Sequence, residues 1–232
     1  FATIANVTSN SPGDINTDDF VFGSTQLNDD TGTSNDDSKF FFDKSQAAFR
    51  AGYTDLDAWD TANLGWSSAA FGYNTKAIGP SSFAAGQNSV ADGGNSIALG
   101  FGAITDDPNA IALGNSSQAF WINSIAMGTN SVSRASNTIS FGTNNSSTAN
   151  NAISFGNNNT ANGRYSLALG YNNTASSFGE TTWGNFATEI VGTATSVVPT
   201  DRLFVIGNGT TTAARSDALT ILKNGNTSIN GS

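Results

Sequence analysis

Hydrophobic residues along this chain fall in short runs that end on glycine. The glycines are Gly72, Gly86, Gly100, Gly114, Gly128, Gly142, Gly156, Gly170 and Gly184, and the interval between them never slips from fourteen. The runs read SAAFG, SFAAG, SIALG, AIALG, SIAMG, TISFG, AISFG, SLALG and ETTWG. A fixed period of this kind marks a chain built from one repeated supersecondary unit.

Inside each run the pattern alternates with period two, the mark of a strand; no helical period fits. Large residues stand three before glycine (Phe83, Ile97, Ile111, Ile125, Ile139, Ile153, Leu167) and immediately before it (Phe71, Leu99, Leu113, Met127, Phe141, Phe155, Leu169, Trp183). A small residue lies between them: Ala70, Ala84, Ala98, Ala112, Ala126, Ser140, Ser154 or Ala168. The expectation is large side chains inward and small ones outward. The small face would then let another sheet approach, so self-association is expected there.

The rest of each unit has its own order. Asn74, Asn88, Asn130, Asn144, Asn158 and Asn172 follow glycine by two, and a weaker small-residue strand comes next. A second turn leads to Asn95, Asn109, Asn123, Asn137 or Asn151. Asn and Gly tolerate left-handed backbone, which suits both turns. The unit therefore reads as two strands of about five residues and two tight turns. The fold class is all-β: a single-stranded β-solenoid that rises roughly 4.8 Å per coil. Asn side chains stacked along the turns are expected to bond to each other.

Composition narrows the chemistry. With no Cys and no His among 232 residues, Ser-His-Asp and Cys-His catalysis are excluded. Net charge is −9, which argues against a nucleic-acid partner. No run is long and apolar enough to span a membrane as a helix. The start at Phe1, with no visible signal peptide, reads as a mature product or a fragment.

Residues 1–67 depart from the repeat and hold much of the acidic charge. The runs FVFG (20–23) and KFFFD (39–43) are rich in strand formers, and a small acidic β cap over the first coil is expected. Trp59 and Trp66 are expected as packing plugs. Asp14, Asn16 and Asp18 alternate like the start of a calcium loop, but Asp19 replaces the needed glycine and the final Glu is missing. Asp29, Asp30, Asp36 and Asp37 crowd a second loop. No cofactor is required, and calcium at one of these loops is the one ion to test.

Breaks in the repeat are where a solenoid carries chemistry. Turns that elsewhere hold Asp, Asn, Thr or Gly hold Phe120 and Trp121 in one coil. Two large aromatics there fit either contact with a partner chain or recognition of an external ligand. Tyr73, Phe101 and Tyr171, each just after its glycine, form a second candidate patch. Arg134 and Arg164 stand in an otherwise nearly neutral array and read as salt-bridge partners between chains.

Segments such as NSIALG, NAIALG and NSIAMG resemble the head repeats of YadA-like trimeric autotransporter adhesins, over residues 68–184. The resemblance implies a left-handed parallel β-roll, three chains around one axis, and a surface that binds host or matrix molecules. The stretch RLFVIGNGTTTAARSDALTILKNGNTSING, residues 202–231, is similar to segments that close such arrays in bacterial surface proteins and phage fibres. In phage fibres a trimerising, self-cleaving chaperone often follows it.

The expected organisation is an N-terminal acidic β cap (1–67), a fourteen-residue-repeat β-roll (68–185) and a closing, neck-like segment (186–232). The expected function is a homotrimeric, extracellular adhesin or receptor-binding head at a cell or virion surface. Its partners would be copies of itself and a host surface protein, matrix component or glycan. The alternative is a structural phage fibre, spike or filament subunit. Ice binding is disfavoured because outward positions mix Asn, Ser, Ala and Thr. Polysaccharide cleavage is disfavoured because residues 93–177 offer only Asp106 and Asp107 as acids.

Overall fold

A computed structural model describes residues 20–23, 37–54 and 57–230. Each fourteen-residue unit forms one coil with a five-residue strand and a two-residue strand, for example Ile125–Thr129 and Val132–Ser133. The second strand is thus shorter than its small-residue pattern suggested. Nine long strands, from Ala69–Tyr73 to Thr181–Asn185, stack parallel and in register. Eight short strands stack likewise into a second sheet, from Lys76–Ala77 to Thr174–Ala175. Ile111 pairs with Ile125, and Gly114 with Gly128. A shift of fourteen maps each coil onto the next.

The long-strand ladder continues past the fourteen-residue period at both ends. Ala48–Thr54 pairs parallel with Ala69–Tyr73, matching Gly52 to Gly72. Asp37–Asp43 and Phe20–Gly23 add antiparallel to it. At the other end, Arg202–Asn208 pairs parallel with Thr181–Asn185, matching Gly207 to Gly184. Asp217–Leu222 and Thr227–Ile229 then follow antiparallel.

The repeat glycines are the fourth residues of the long strands, not turn residues. Their φ angles run from +105° to +136°. A Cβ at any of them would overlap the carbonyl oxygen of the glycine in the next coil. Glycine is required twice over, by backbone sign and by close stacking. The turns follow the Asn pattern. Asn74, Asn88, Asn130, Asn144, Asn158 and Asn172 hold φ of 48–56°, and Asn95, Asn109, Asn123, Asn137 and Asn151 hold 56–62°. Side-chain amides link Asn109 to Asn123, Asn123 to Asn137, and Asn130 to Asn144 at 3.1–3.2 Å.

The two faces of the long strand are the reverse of the expected ones. Ala70, Ala84, Ala98, Ala112, Ala126, Ser140, Ser154 and Ala168 are fully buried inside the coil. The large residues beside them point outward; Ile139, Phe141 and Phe155 are 36–50% exposed. The reason is width. Short strands place their own small residues inward (Ala77, Ala91, Thr105, Ala119, Ser133, Ser147, Ala161, Ala175), all fully buried. Fourteen residues close a loop too tight for Ile or Phe inside, and small inward residues on both walls let the walls meet.

The interior changes character along its length. Its first half is a continuous alanine cluster from Ala70 to Ala126. Next come buried serines, whose hydroxyls find backbone carbonyls: Ser133 donates to Ile125, Ser140 to Val132 and Ser147 to Ile139, at 2.7–2.8 Å. Further hydroxyl contacts join Ser133 to Ser140 and Ser147 to Ser154 at 2.9–3.1 Å. Swapping Ala for Ser there leaves no polar atom unpaired, so the burial is tolerated.

Candidate binding surface

With the interior filled by Ala and Ser, the chemistry of the roll lies on its outside. Three outer regions are distinct: the long-strand face, the short-strand face and the two turn edges.

The long-strand face carries two parallel rows of large apolar side chains, one rung per coil. One row runs Phe83, Ile97, Ile111, Ile125, Ile139, Ile153 and Leu167; the other runs Leu99, Leu113, Met127, Phe141, Phe155, Leu169 and Trp183. The Phe141 and Phe155 rings stack at 4.9 Å and 6°, and Phe71 meets Phe83 at 5.6 Å. Trp183 is 56% exposed. Each row spans seven successive coils, roughly 29 Å. A contiguous apolar surface of that extent marks an interaction face.

The short-strand face is more polar toward its C-terminal end, where Ser146, Thr160 and Thr174 succeed Val90, Ile104 and Val132 on one outward row. An open groove of about 330 Å³ lies there between Thr160, Asn162, Thr174 and Ser176 and an overhang of Glu189, Ile190 and Val191. Arg134 is exposed, and Arg164 sits over the Tyr165 ring, 5.8 Å from its centroid.

The aromatic candidates occupy both turn edges. Trp121 and its neighbour Ile122 are 50% and 44% exposed, while Phe120 is half-buried. The turn is held by the Trp121 N–H donating to Ser124 Oγ at 3.2 Å. Phe101 and Tyr171 are exposed on the opposite turn edge; Tyr73 is half-buried there, its ring stacked on Tyr53 at 5.4 Å. Five coils separate Phe101 from Tyr171, roughly 24 Å. Tyr73, Phe101 and Tyr171 therefore do not form one patch, and none of them adjoins Trp121.

The N-terminal end of the interior is closed by Arg50, which takes the place of an inner alanine, opposite Ala70. It is fully buried and donates to the carbonyls of Phe49, Ser68 and Ala77 and to Ser68 Oγ, at 2.8–3.2 Å. Burial pulls its pKa down to about 10, against the opposing pull of Asp43. Trp59 lies beside it, buried, with its indole N–H on the Thr75 carbonyl at 3.1 Å. Trp59 is the packing plug expected; Trp66 is not, being 63% exposed on the turn edge.

The C-terminal end is closed by Glu180 and Arg202. One Glu180 oxygen accepts the Ser176 and Ser177 N–H groups at 2.8–2.9 Å. Asp217 receives the Thr188 N–H and hydroxyl. Arg215 pairs with Glu189 at 2.8 Å. Between the ends, Asn145, Asn159 and Asn173 form a buried ladder that the repeat did not announce. Each amide donates to two carbonyls, and each Oδ1 accepts a backbone N–H one coil on.

Asp14, Asn16 and Asp18 lie outside the described residues, as do Asp29, Asp30 and Asp36. Among the described residues no group of three or more acidic side chains is arranged to hold a metal ion. Nor is any helix among them long and apolar enough to cross a membrane.

The family described as the YadA head domain repeat (2 copies) matches residues 65–89, 77–103, 91–117, 108–131, 122–145 and 147–173. No curated protein matches the chain. The overlapping matches step along the same coils that the glycine ladder defines. Residues 65–173 are a YadA-like head domain built as a β-solenoid.

Proposed function

We propose that the protein is an extracellular, adhesin-like head that works as a homotrimer. The observation that carries this reading is the pair of apolar rows on the long-strand face. They run along the roll, and Ile139, Phe141, Phe155 and Trp183 among them are 36–56% exposed against the described residues. Three chains that turn this face toward a common axis remove the rows from water and leave the short-strand faces and turn edges outside. The YadA-like repeats support the same assembly and a role in surface attachment. In this reading the strands before Gly65 act as an N-terminal cap, holding the first coil's edge away from other chains.

Light scattering at micromolar concentration is expected to give three times the chain mass of 23.8 kDa. The double variant Leu113→Asp/Ile125→Asp, which buries charge in the middle of the face, is expected to give a folded monomer. A wild-type protein of monomer mass overturns the reading. A trimer that attaches to no cell or matrix surface favours the fibre or filament role instead.

A further inference from the structure

The strand Asp37–Asp43 holds three phenylalanines in succession, Phe40, Phe41 and Phe42. Alternation sends the middle one to one face and its neighbours to the other. Phe41 is buried, with its ring 6.1 Å from that of Trp59 in the N-terminal closure. Phe40 and Phe42 lie on the opposite face and are 42% and 39% exposed. A strand with apolar residues on both faces is the pattern of a strand buried on both. A cap that only ends a solenoid shows a polar outer face instead.

The outward pair is in line with the apolar rows of the roll. Phe42 pairs with Phe49, which pairs with Ala69; Phe40 pairs with Ala51, which pairs with Phe71. Ala69 and Phe71 stand three before and one before Gly72, the positions that carry the rows in later coils. Ring contacts trace the join: Phe40 to Phe49 at 4.9 Å, Phe49 to Phe71 at 5.3 Å and Phe71 to Phe83 at 5.6 Å. The far end repeats the arrangement. Thr181 and Trp183 pair with Phe204 and Ile206, which pair with Ile221 and Leu219. Val205, between Phe204 and Ile206, is fully buried on the inner face. From Asp37–Asp43 to Asp217–Leu222 the apolar face crosses thirteen strands of one sheet. That is roughly 58 Å, about twice the length of either repeat row.

We propose that the cap and the closing segment are assembly elements. Phe40 and Phe42 at one end, and Phe204 and Ile206 at the other, pack against the same residues of two further copies of this chain. The occupant follows from continuity. One sheet carries the repeat rows and both end pairs at the same strand positions, so parallel chains that join their rows about an axis join their end pairs at the same heights. The inference rests on the trimer reading above. It extends that reading to segments that the YadA-like match over residues 65–173 does not reach.

The chain has no cysteine, so single-cysteine variants report contacts between copies without background. Phe42→Cys and Ile206→Cys test the two ends, Leu113→Cys the repeat rows, and Ser146→Cys the short-strand face. Each assembled protein is oxidised with copper–phenanthroline and run on a non-reducing gel. Three equivalent cysteines about an axis allow one disulfide per trimer, so covalent dimer approaching roughly two-thirds of the chains is expected for the first three variants. Ser146→Cys is expected to give several-fold less. The double variant Phe40→Gln/Phe42→Gln is expected to stay folded by circular dichroism and to dissociate at lower urea by light scattering. Linkage of Leu113→Cys, with Phe42→Cys and Ile206→Cys at the level of Ser146→Cys, overturns this inference and spares the trimer. Linkage at one end alone overturns the assignment of the other end, and an unchanged dissociation midpoint overturns the part played by the cap. Linkage at both ends but not at Leu113→Cys keeps the inference and overturns the repeat rows as the interface. Failure at all three positions, with a monomer mass, overturns both readings.

Discussion

Arg202 Nη2 lies 2.7 Å from Glu180 Oε1, and both side chains are at least 97% buried at the last coil of the roll. The same Glu180 holds two backbone N–H groups with its other oxygen, and Arg202 donates to the Thr188 carbonyl at 2.6 Å. One ion pair therefore ties the final repeat to the strand that closes it. Glu180→Gln leaves a buried guanidinium with Asp217, 3.9 Å away, as its one remaining counter-charge among the described residues. It is expected to lower stability by about 3–5 kcal/mol. Urea unfolding followed by circular dichroism checks this. Loss within 1 kcal/mol would show that Asp217 suffices.

The buried Asn ladder sets a second expectation. Asn159 donates to Phe155 and Gly170 carbonyls and accepts from the Asn173 N–H. Asn159→Leu orphans all three groups in the interior of the turn, at about 1–3 kcal/mol for each unsatisfied group. Asn158→Ser, one residue earlier on the exposed side, is expected to cost far less, because Ser116 already holds the equivalent left-handed position at φ 54°. The comparison of the two melting points is the measurement.

Gly128→Ala tests the stacking of coils. The φ of 116° and the approach of the Gly142 carbonyl both oppose a methyl group. A loss of at least about 1–3 kcal/mol from backbone strain alone is expected, more if the coils are pushed apart. Gly94→Ala, at a turn where a Cβ meets nothing closer than 3.7 Å, should change little.

Asp106 gives a pH expectation with a definite sign. Partial burial first, and then the charges of Asp92 and Asp107, raise its pKa in the folded chain. Between the ordinary aspartate pKa and the raised one, the folded state binds more protons than the unfolded state. The group's contribution to stability therefore falls as pH rises through that window and is regained on acidification. Asp106→Asn removes this dependence and is expected to stabilise the protein at neutral pH, by at most about 1 kcal/mol because the site is exposed to solvent. Melting curves at several pH values for both proteins decide it; identical pH slopes would refute the assignment.

How far the sequence discloses this molecule depends on the feature. The glycine interval defines each coil, and the Asn positions mark both turns, because stacking in register demands the same backbone at every rung. Alternation, however, defines two faces without saying which is inside. The answer lay in the short strand, whose small residues at Ala77, Ala91, Ala119 and Ala161 must oppose the small residues of the long strand. Coil circumference, not hydrophobicity, decides the facing. The inner ladder was missed, although the doublets Asn144-Asn145, Asn158-Asn159 and Asn172-Asn173 carry its only signal: one member satisfies the turn and leaves the next for another task. Arg50 and Arg202 were not legible: a lone arginine looks solvated until the strand that carries it is known to lie across an open end. Trp121 was visible as a break in the pattern, but its distance from Phe101 and Tyr171 required the coil geometry.

An interior made only of Ala, Ser, Thr and Asn has the same bore at every level, and the two arginine closures fit that bore rather than any particular coil. Removing or adding one unit of fourteen residues between Gly86 and Gly170 would shift the tip by about 4.8 Å and leave both closures intact. The reach of such a head is in that sense a ruler graduated in coils, and the outward residues of any coil can be rewritten without disturbing what holds the column upright.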